Sequence, residues 1–282
     1  MTNLMSPPRR IGLIVPSSNV TMETEIPALL KAREAVLPDR FTFHSSRMRM
    51  KSVVKEELEA MDAASIKCAV ELSDAAVDVQ AYACLVAIMS MGKGYHRQSA
   101  ARLRDAAVEN GCPTPVLNSA GALVESLKEM GVKKTSIICP YVRPLARLVA
   151  QYIEHEGVEV QDVLALEIPD NLAVAARPPT APAELWRKLD LNGVDAIVAS
   201  ACVQMPSLAS IELIERVSGL PTLSAAVATT RQILQSLNLR AFAPGGGALL
   251  GSGDLAAAIS PAHIEVADQQ VGCTPVAAAA RV

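Results

Sequence analysis

Apolar residues in this chain fall into short solid runs, separated by longer stretches in which they recur at helical spacing. Residues 194–206 read VDAIVASACVQMP, an apolar run with Cys202 at its carboxyl end, followed by polar residues and a proline. Such a run fits a parallel strand buried on both faces. Residues 77–86, VDVQAYACLV, repeat the pattern and reach Cys84 at the matching place. Further strands are predicted at 10–16, at 41–45 where apolar and polar positions alternate, at 114–119, at 135–139 and at 158–166. Helical periodicity occupies 54–77, 96–110 up to Gly111, the stretch that runs through Met130, 147–156 and 210–217. Regular alternation of strand and helix predicts a parallel sheet.

The alternation occurs twice. The strand that stops at Pro16 is echoed by the one that stops at Pro140, and GCPTPVLNS at 111–119 is echoed by GLPTLSA at 219–225, each leading into a helix. The repeat distance exceeds a hundred residues, too long for a solenoid and right for a duplicated small domain. The fold class expected is therefore α/β, with two pseudo-symmetric Rossmann-like domains, parallel sheets, and an active site in the cleft between them. The expected division is 9–120 plus 224–255 as the N-terminal domain with Cys84, 121–223 as the second domain with Cys202, and 256–282 as a C-terminal extension. Residues 177–182, RPPTAP, read as a surface loop.

Composition narrows the function. Of 282 residues, 26 are Lys or Arg and 29 are Asp or Glu, giving a formal net charge of -3 with no basic stripe, so nucleic acid is not an expected partner. No apolar run reaches the ~18 residues of a membrane span, and the N-terminus lacks the apolar core of a signal peptide, so a cytoplasmic protein is expected. Six cysteines, at 68, 84, 112, 139, 202 and 273, show no Cys-x-x-Cys pair and no histidine at ligand spacing, which argues against a zinc site or a disulfide framework. The choice is then between reactive thiols and inert burial. Cys68, Cys112 and Cys273 take the second reading, and Cys139 is ambiguous because it ends a strand. Cys84 and Cys202 end two strands of an α/β chain, where ligands collect.

Weaker signals lead nowhere. The glycine-rich stretch 245–253 lacks the Lys-Ser/Thr ending and the strand context of a phosphate loop, and Gly92 and Gly94 lack a third glycine. The four histidines, at 44, 96, 155 and 263, match no motif; His96 reads as a solvated helix start, with a Cys-His pairing left open. Ser17, Ser18 and Asn19 are turn and helix N-cap candidates, with Glu23 and Glu25 in the first helical turn.

Duplicated α/β halves with cysteines at equivalent strand ends resemble the aspartate/glutamate racemase superfamily. The segment VPSSNVTMETE at 15–25 is similar to the maleate cis-trans isomerases within it, as are YACLVA at 82–87 and ACVQ at 201–204. The resemblance covers roughly residues 9–251. It implies a cofactor-free isomerase of maleate and fumarate, a small-dicarboxylate enzyme that works as a homodimer without metal. By that resemblance Cys84 is the nucleophile and Cys202 the general acid and base. Asn19, Tyr141 and Asn171 hold the substrate carboxylates, helped by backbone amides at Leu85, Val86, Val203 and Gln204. Helix N-termini and amides are expected to lower both thiol pKa values. Two alternatives stay open: an amino-acid or hydantoin racemase using the same cysteines, and a non-catalytic small-acid binding protein with packed thiols. Decarboxylases of the superfamily keep only the second cysteine, and Cys84 counts against them.

Overall fold

A computed structural model describes residues 7–251. The first half runs β1 (Arg9–Pro16), α1 (Met22–Glu34), β2 (Phe41–Met48), α2 (Lys55–Asp74), β3 (Val79–Tyr82), α3 (Leu85–Ser90), α4 (Tyr95–Glu109), β4 (Val116–Asn118) and α5 (Ser119–Glu129). The second half runs β5 (Lys134–Cys139), α6 (Arg143–His155), β6 (Glu159–Ala165), α7 (Asn171–Ala175), α8 (Pro182–Leu185), β7 (Ala196–Ser200), α9 (Ile211–Ser218), β8 (Thr222–Ser224) and α10 (Ala225–Ser236). The sheets have the orders β2-β1-β3-β4 and β6-β5-β7-β8, so each strand of one sheet has a counterpart in the other. All strand pairs are parallel. The expected α/β architecture with two parallel sheets is what the chain forms.

In each sheet the chain winds outward from the first strand, then crosses to the other side for the third. The crevice beyond the carboxyl ends therefore opens between β1 and β3 in one sheet and between β5 and β7 in the other, the switch points where such sheets bind ligands. β3 and β7 are buried along their whole length, which explains their mainly apolar sequence; the exception inside β3, Gln80, donates from its Nε2 to the Ala69 carbonyl at 3.1 Å. In β1, Ile11, Leu13, Ile14 and Val15 are fully buried. Gly12 stands among them because a Cβ there would meet Val77 Cγ2 at 2.9 Å.

Some boundaries differ from expectation for identifiable reasons. β2 continues to Met48 because it pairs with β1 all the way from Arg9↔Phe41 to Pro16↔Met48. α6 begins at Arg143, ahead of the predicted 147, since Pro144 falls in its first turn, where a missing N–H costs nothing. The sequence pattern predicts neither α3 nor α7. The surface loop at 177–182 gives way at Pro182 to α8. α10 packs against α1, β3 and β4 of the first half, and also against α5. Among the described residues no helix is long and apolar enough to cross a membrane. Cys273, the stretch beyond Gly251 and the extension expected at 256–282 lie outside the described residues.

Candidate active site

Two residues past β3 the chain turns sharply. Cys84 has φ +103° and ψ 76°, the left-handed region, and immediately caps α3. A non-glycine residue there is strained, and such strain collects at functional turns. Two residues past β7, Cys202 starts a loop instead: Met205 N–H donates to the Cys202 carbonyl at 3.3 Å, and Gln204 N–H donates to the Cys202 sulfur at 3.4 Å. Both cysteines line one cleft between the halves, together with Pro16, Asn19, Met50, Val53, Leu85, Val86, Tyr141, Asn171, Val203 and Gln204. Every predicted site residue is brought to this cleft, which none of the three described histidines, His44, His96 and His155, lines. Sequence reasoning misses Pro16, Met50 and Val53: they are ordinary apolar residues, and only the crossing of the chain after β1 and β2 puts them here.

The thiols do not have the depressed pKa values expected of them. Burial pushes Cys84 up to about 12; the Ala87 N–H at its sulfur pulls the other way, and charge on Cys202 adds to the rise. Burial likewise raises Cys202, opposed by the Tyr141 hydroxyl and by the Gln204 and Met205 N–H groups. A dry cleft disfavours a thiolate by more than these donors restore. Cys202 nevertheless has two N–H donors against one for Cys84, and the Tyr141 hydroxyl can turn to it from the Ala201 carbonyl, so its thiolate is the better supported. Cys139 is also pushed up to about 12 by burial, to which charge on Cys202 would add, and it does not line the cleft.

The polar groups of the cleft are held by the fold. Asn19 Oδ1 accepts from the N–H groups of Thr21 and Met22, each at 3.0 Å, capping α1 from the turn where a cap was expected. With its oxygen so engaged, Asn19 offers the cleft its Nδ2 donor. The Tyr141 hydroxyl donates to the Ala201 carbonyl at 3.2 Å beside Cys202, and burial, then Cys202, hold its pKa far above the usual value, so it remains a donor. Asn171 Nδ2 donates to Ser18 Oγ at 2.7 Å, linking the two halves. Leu85 and Val86 occupy the first turn of α3, where backbone N–H groups have no intrahelical acceptor.

Gln204 proves to be a clasp. Its Nε2 donates to the carbonyls of Ser18 at 2.9 Å and Asn171 at 2.8 Å, and its Oε1 accepts from Val20 N–H at 3.0 Å. Its backbone carbonyl accepts from Thr21 Oγ1 at 2.7 Å. Just beyond, Glu25 of α1 accepts from the N–H groups of Ser207 and Leu208, both at 2.6 Å. The loop that carries Cys202 is thus laced to the segment that carries Asn19. Among the described residues, none lining the cleft has a charged side chain. What the site presents is two thiols facing a largely apolar pocket whose polar groups are all neutral.

That fold and that pair of thiols define the class, an α/β enzyme whose cleft holds two cysteines just past equivalent strand ends. A family model described as arylmalonate decarboxylase matches residues 11–250. Maleate isomerase of Pseudomonas putida is 60% identical over 241 residues, covering 86% of this chain and 96% of that protein. A cysteine-to-alanine variant of a Pseudomonas putida maleate isomerase, solved with maleate, is similar at TM-score 0.86 and 57% identity, covering 88% of this chain and 100% of that one. A cysteine-to-serine variant of the Nocardia farcinica maleate cis-trans isomerase, carrying a covalently bound succinylcysteine intermediate, is similar at TM-score 0.83 and 46% identity over 86% of this chain and 98% of that one. The chain belongs to the family of the maleate isomerases and arylmalonate decarboxylases, in the aspartate/glutamate racemase superfamily.

Proposed function

We propose that this protein converts maleate to fumarate without a cofactor, through a succinyl adduct on Cys84. The observation that carries the reading is the pairing of Cys84 and Cys202 across one cleft of neutral donors. Rotation about a carbon–carbon double bond requires its π-bond to be removed for a moment. The Cys84 thiolate adds to one alkene carbon, and the π electrons move to the other carbon and into its carboxylate. The Cys202 S–H gives its proton to that carbon, leaving a succinyl group joined to Cys84 by a single-bonded, freely rotating chain. After rotation the Cys202 thiolate takes the proton back and the carbon–sulfur bond breaks, so fumarate leaves and both thiols return to their starting state.

Asn19 Nδ2, Tyr141, Asn171 and the backbone N–H groups at 85, 86, 203 and 204 are assigned to the two carboxylates and to the enediolate-like charge. Fixed neutral dipoles stabilise such charge in a dry site without trapping the ground state. For Asn171 and Gln204 the present hydrogen bonds qualify the role: Asn171 would turn its amide from Ser18, and the Gln204 N–H already serves the Cys202 sulfur. We also propose a cytoplasmic homodimer, which the family resemblance supports, and the division into 9–120 with 224–255 and 121–223. Packing of α10 on α1, β3 and β4 supports the return of the chain to the first half, and α5, packed on α3, α4, β4 and α10, forms the seam.

The test is to treat purified protein with EDTA, add maleate and follow the vinyl protons by NMR. Fumarate should appear with no metal or nucleotide added. Activity that returned only with a divalent metal or a nicotinamide would overturn the cofactor-free reading, and racemisation of an amino acid in place of fumarate formation would move the protein to the racemases.

A further inference from the structure

His96 is not the solvated residue its sequence suggests. It is 5% exposed and held on three sides. Its backbone N–H donates to the Tyr152 hydroxyl at 3.1 Å, its backbone carbonyl accepts from Asn118 Nδ2 at 2.7 Å, and its Nδ1 lies 2.6 Å from the same Tyr152 hydroxyl. The ring rests on α5 at Gly121, where a Cβ would come within 3.0 Å of His96 Cδ2. The fourth side is open: Nε2 is buried without a hydrogen-bond partner. It looks into a second pocket, which Glu125, Arg97, Asn118 and Gln232 also line and which shares no lining residue with the cysteine cleft. Buried polar atoms are rarely left unpaired, and one aimed into a pocket from so fixed a ring marks a place for a ligand.

Two carboxylates complete the arrangement. Glu125 Oε1 lies 4.0 Å from His96 Nε2, and Glu156, at the C-terminal end of α6, has a side chain only 5% exposed. The ligand atoms of His96, Glu125 and Glu156 all lie within 4.8 Å of one another. We infer that His96, Glu125 and Glu156 form a binding site for a divalent transition-metal ion of the Zn²⁺ or Co²⁺ kind, separate from the cysteine cleft. One imidazole nitrogen and two carboxylate oxygens suit such ions. Bonds of about 2.0–2.2 Å put neighbouring ligand atoms roughly 3.4 Å apart, so the three must close in by about 1 Å. Glu125, with its side chain 36% exposed, is free to make that move. When Nδ1–H donates to the Tyr152 oxygen, the lone pair is fixed on Nε2, the tautomer a metal needs, and Tyr152 becomes its orienting partner.

Two cations now balance the carboxylates. Arg97 grips Glu156 through both terminal nitrogens, and Lys128 lies 3.3 Å from Glu125 and 3.9 Å from Glu156. Their side chains are 56% and 39% exposed, so both can turn into solvent when an ion takes their place. The ion would bridge α4 and α5 to the end of α6, joining the first half to the second, and its effect belongs to stability and not to isomerisation.

Cobalt titration of the full-length, EDTA-treated and gel-filtered protein tests this. One Co²⁺ per chain should bind with visible d–d bands and no near-ultraviolet thiolate charge-transfer band, and Zn²⁺ should raise the melting temperature. The Cys84→Ser/Cys202→Ser protein should bind equally well. His96→Gln and Glu125→Gln should each lose affinity at least tenfold, Tyr152→Phe should lose roughly 10–100-fold, and Arg97→Gln should bind more tightly. Glu125→Gln, on a partly exposed helical surface, keeps the test valid if the His96 variant fails to fold. Absence of binding at millimolar Co²⁺, a thiolate band, or binding unchanged in Glu125→Gln would overturn the inference and would leave the isomerase reading untouched.

Discussion

The turn after β3 and the turn after β7 both begin with Ala-Cys, at Ala83-Cys84 and Ala201-Cys202, and stand at equivalent places in two sheets of the same order. They then part. At Cys84 the backbone takes a left-handed conformation and enters α3 at the next residue, which leaves one N–H at the sulfur. At Cys202 the chain stays in a loop, and two N–H groups and the Tyr141 hydroxyl converge on the sulfur. Equivalent positions in a duplicated fold can thus acquire different surroundings. Topology places both thiols, and the local turn decides which is strained and poor in donors and which is hydrogen-bonded, the contrast on which the proposed roles of attack at Cys84 and proton transfer at Cys202 rest.

The largest effect expected comes from removing either thiol. Cys84→Ala should lower kcat on the order of 10⁴-fold or more and form no adduct, as loss of a nucleophile does. Cys202→Ala should be as poor in turnover but retain attack, so peptide mass spectrometry after maleate exposure should find a succinyl group on Cys84. A succinyl group on Cys202 in the Cys84→Ala protein would exchange the two roles, and full activity in either variant would reject covalent catalysis.

Next in size is Tyr141→Phe, which takes from Cys202 its one side-chain donor and narrows the contrast between the turns. Removal of a single well-placed donor costs roughly 10²–10³-fold in kcat. Steady-state kinetics should show kcat falling more than KM rises; a change confined to KM would make Tyr141 a binding group only.

The pH dependence is smaller per step and has a definite sign. Burial raises both thiols, so at neutral pH both are mainly protonated, and the reactive thiolate becomes more abundant as pH rises. kcat/KM should climb by about tenfold per pH unit above neutrality while that ionisation limits the rate. Because charge on Cys202 adds to the rise at Cys84, the Cys202→Ala protein should show iodoacetamide alkylation of Cys84 at lower pH than the wild type. A profile that falls from neutrality upward would contradict the assignment.

The smallest effect expected on chemistry, and the sharpest on the junction of the halves, is that of Gln204→Ala. It releases the part-buried Ser18 and Asn171 carbonyls and the Val20 N–H, and should cost about 1 kcal/mol of stability in urea unfolding, since solvent can partly replace the lost bonds. An unchanged unfolding midpoint would show that the clasp is dispensable.

Much of this architecture is legible in the sequence. The runs ending at Cys84 and Cys202 announce buried strands because a strand covered on both faces has no polar side to show, and the segment at 15–25 points to Asn19. α3 is hidden because an apolar run leaving a buried strand looks the same whether it extends the strand or begins a buried helix. The clasp is hidden because Gln204 finds its partners 184 and 186 residues away in sequence, a pairing no local pattern encodes. The sequence suggests the wrong direction for the thiol pKa values, since amides near a strand end can be guessed from local pattern but the dryness of the cleft cannot. His96 looks like a solvated helix start for the same reason: what buries it are Tyr152, Asn118 and Gly121, all on other elements.

The uncharged lining of the cleft bears on how the protein behaves as its surroundings change. A pocket that draws a dianion by lysine or arginine loses grip as ionic strength rises, because fields are screened within about 8 Å at physiological salt. Here the lining is dipolar, and dipoles at contact distance leave no room for counterions to intervene. Capture of a small diacid by this cleft is therefore set by fit and orientation, at the cost of long-range steering, and should hold nearly constant through osmotic swings that would detune a cationic site.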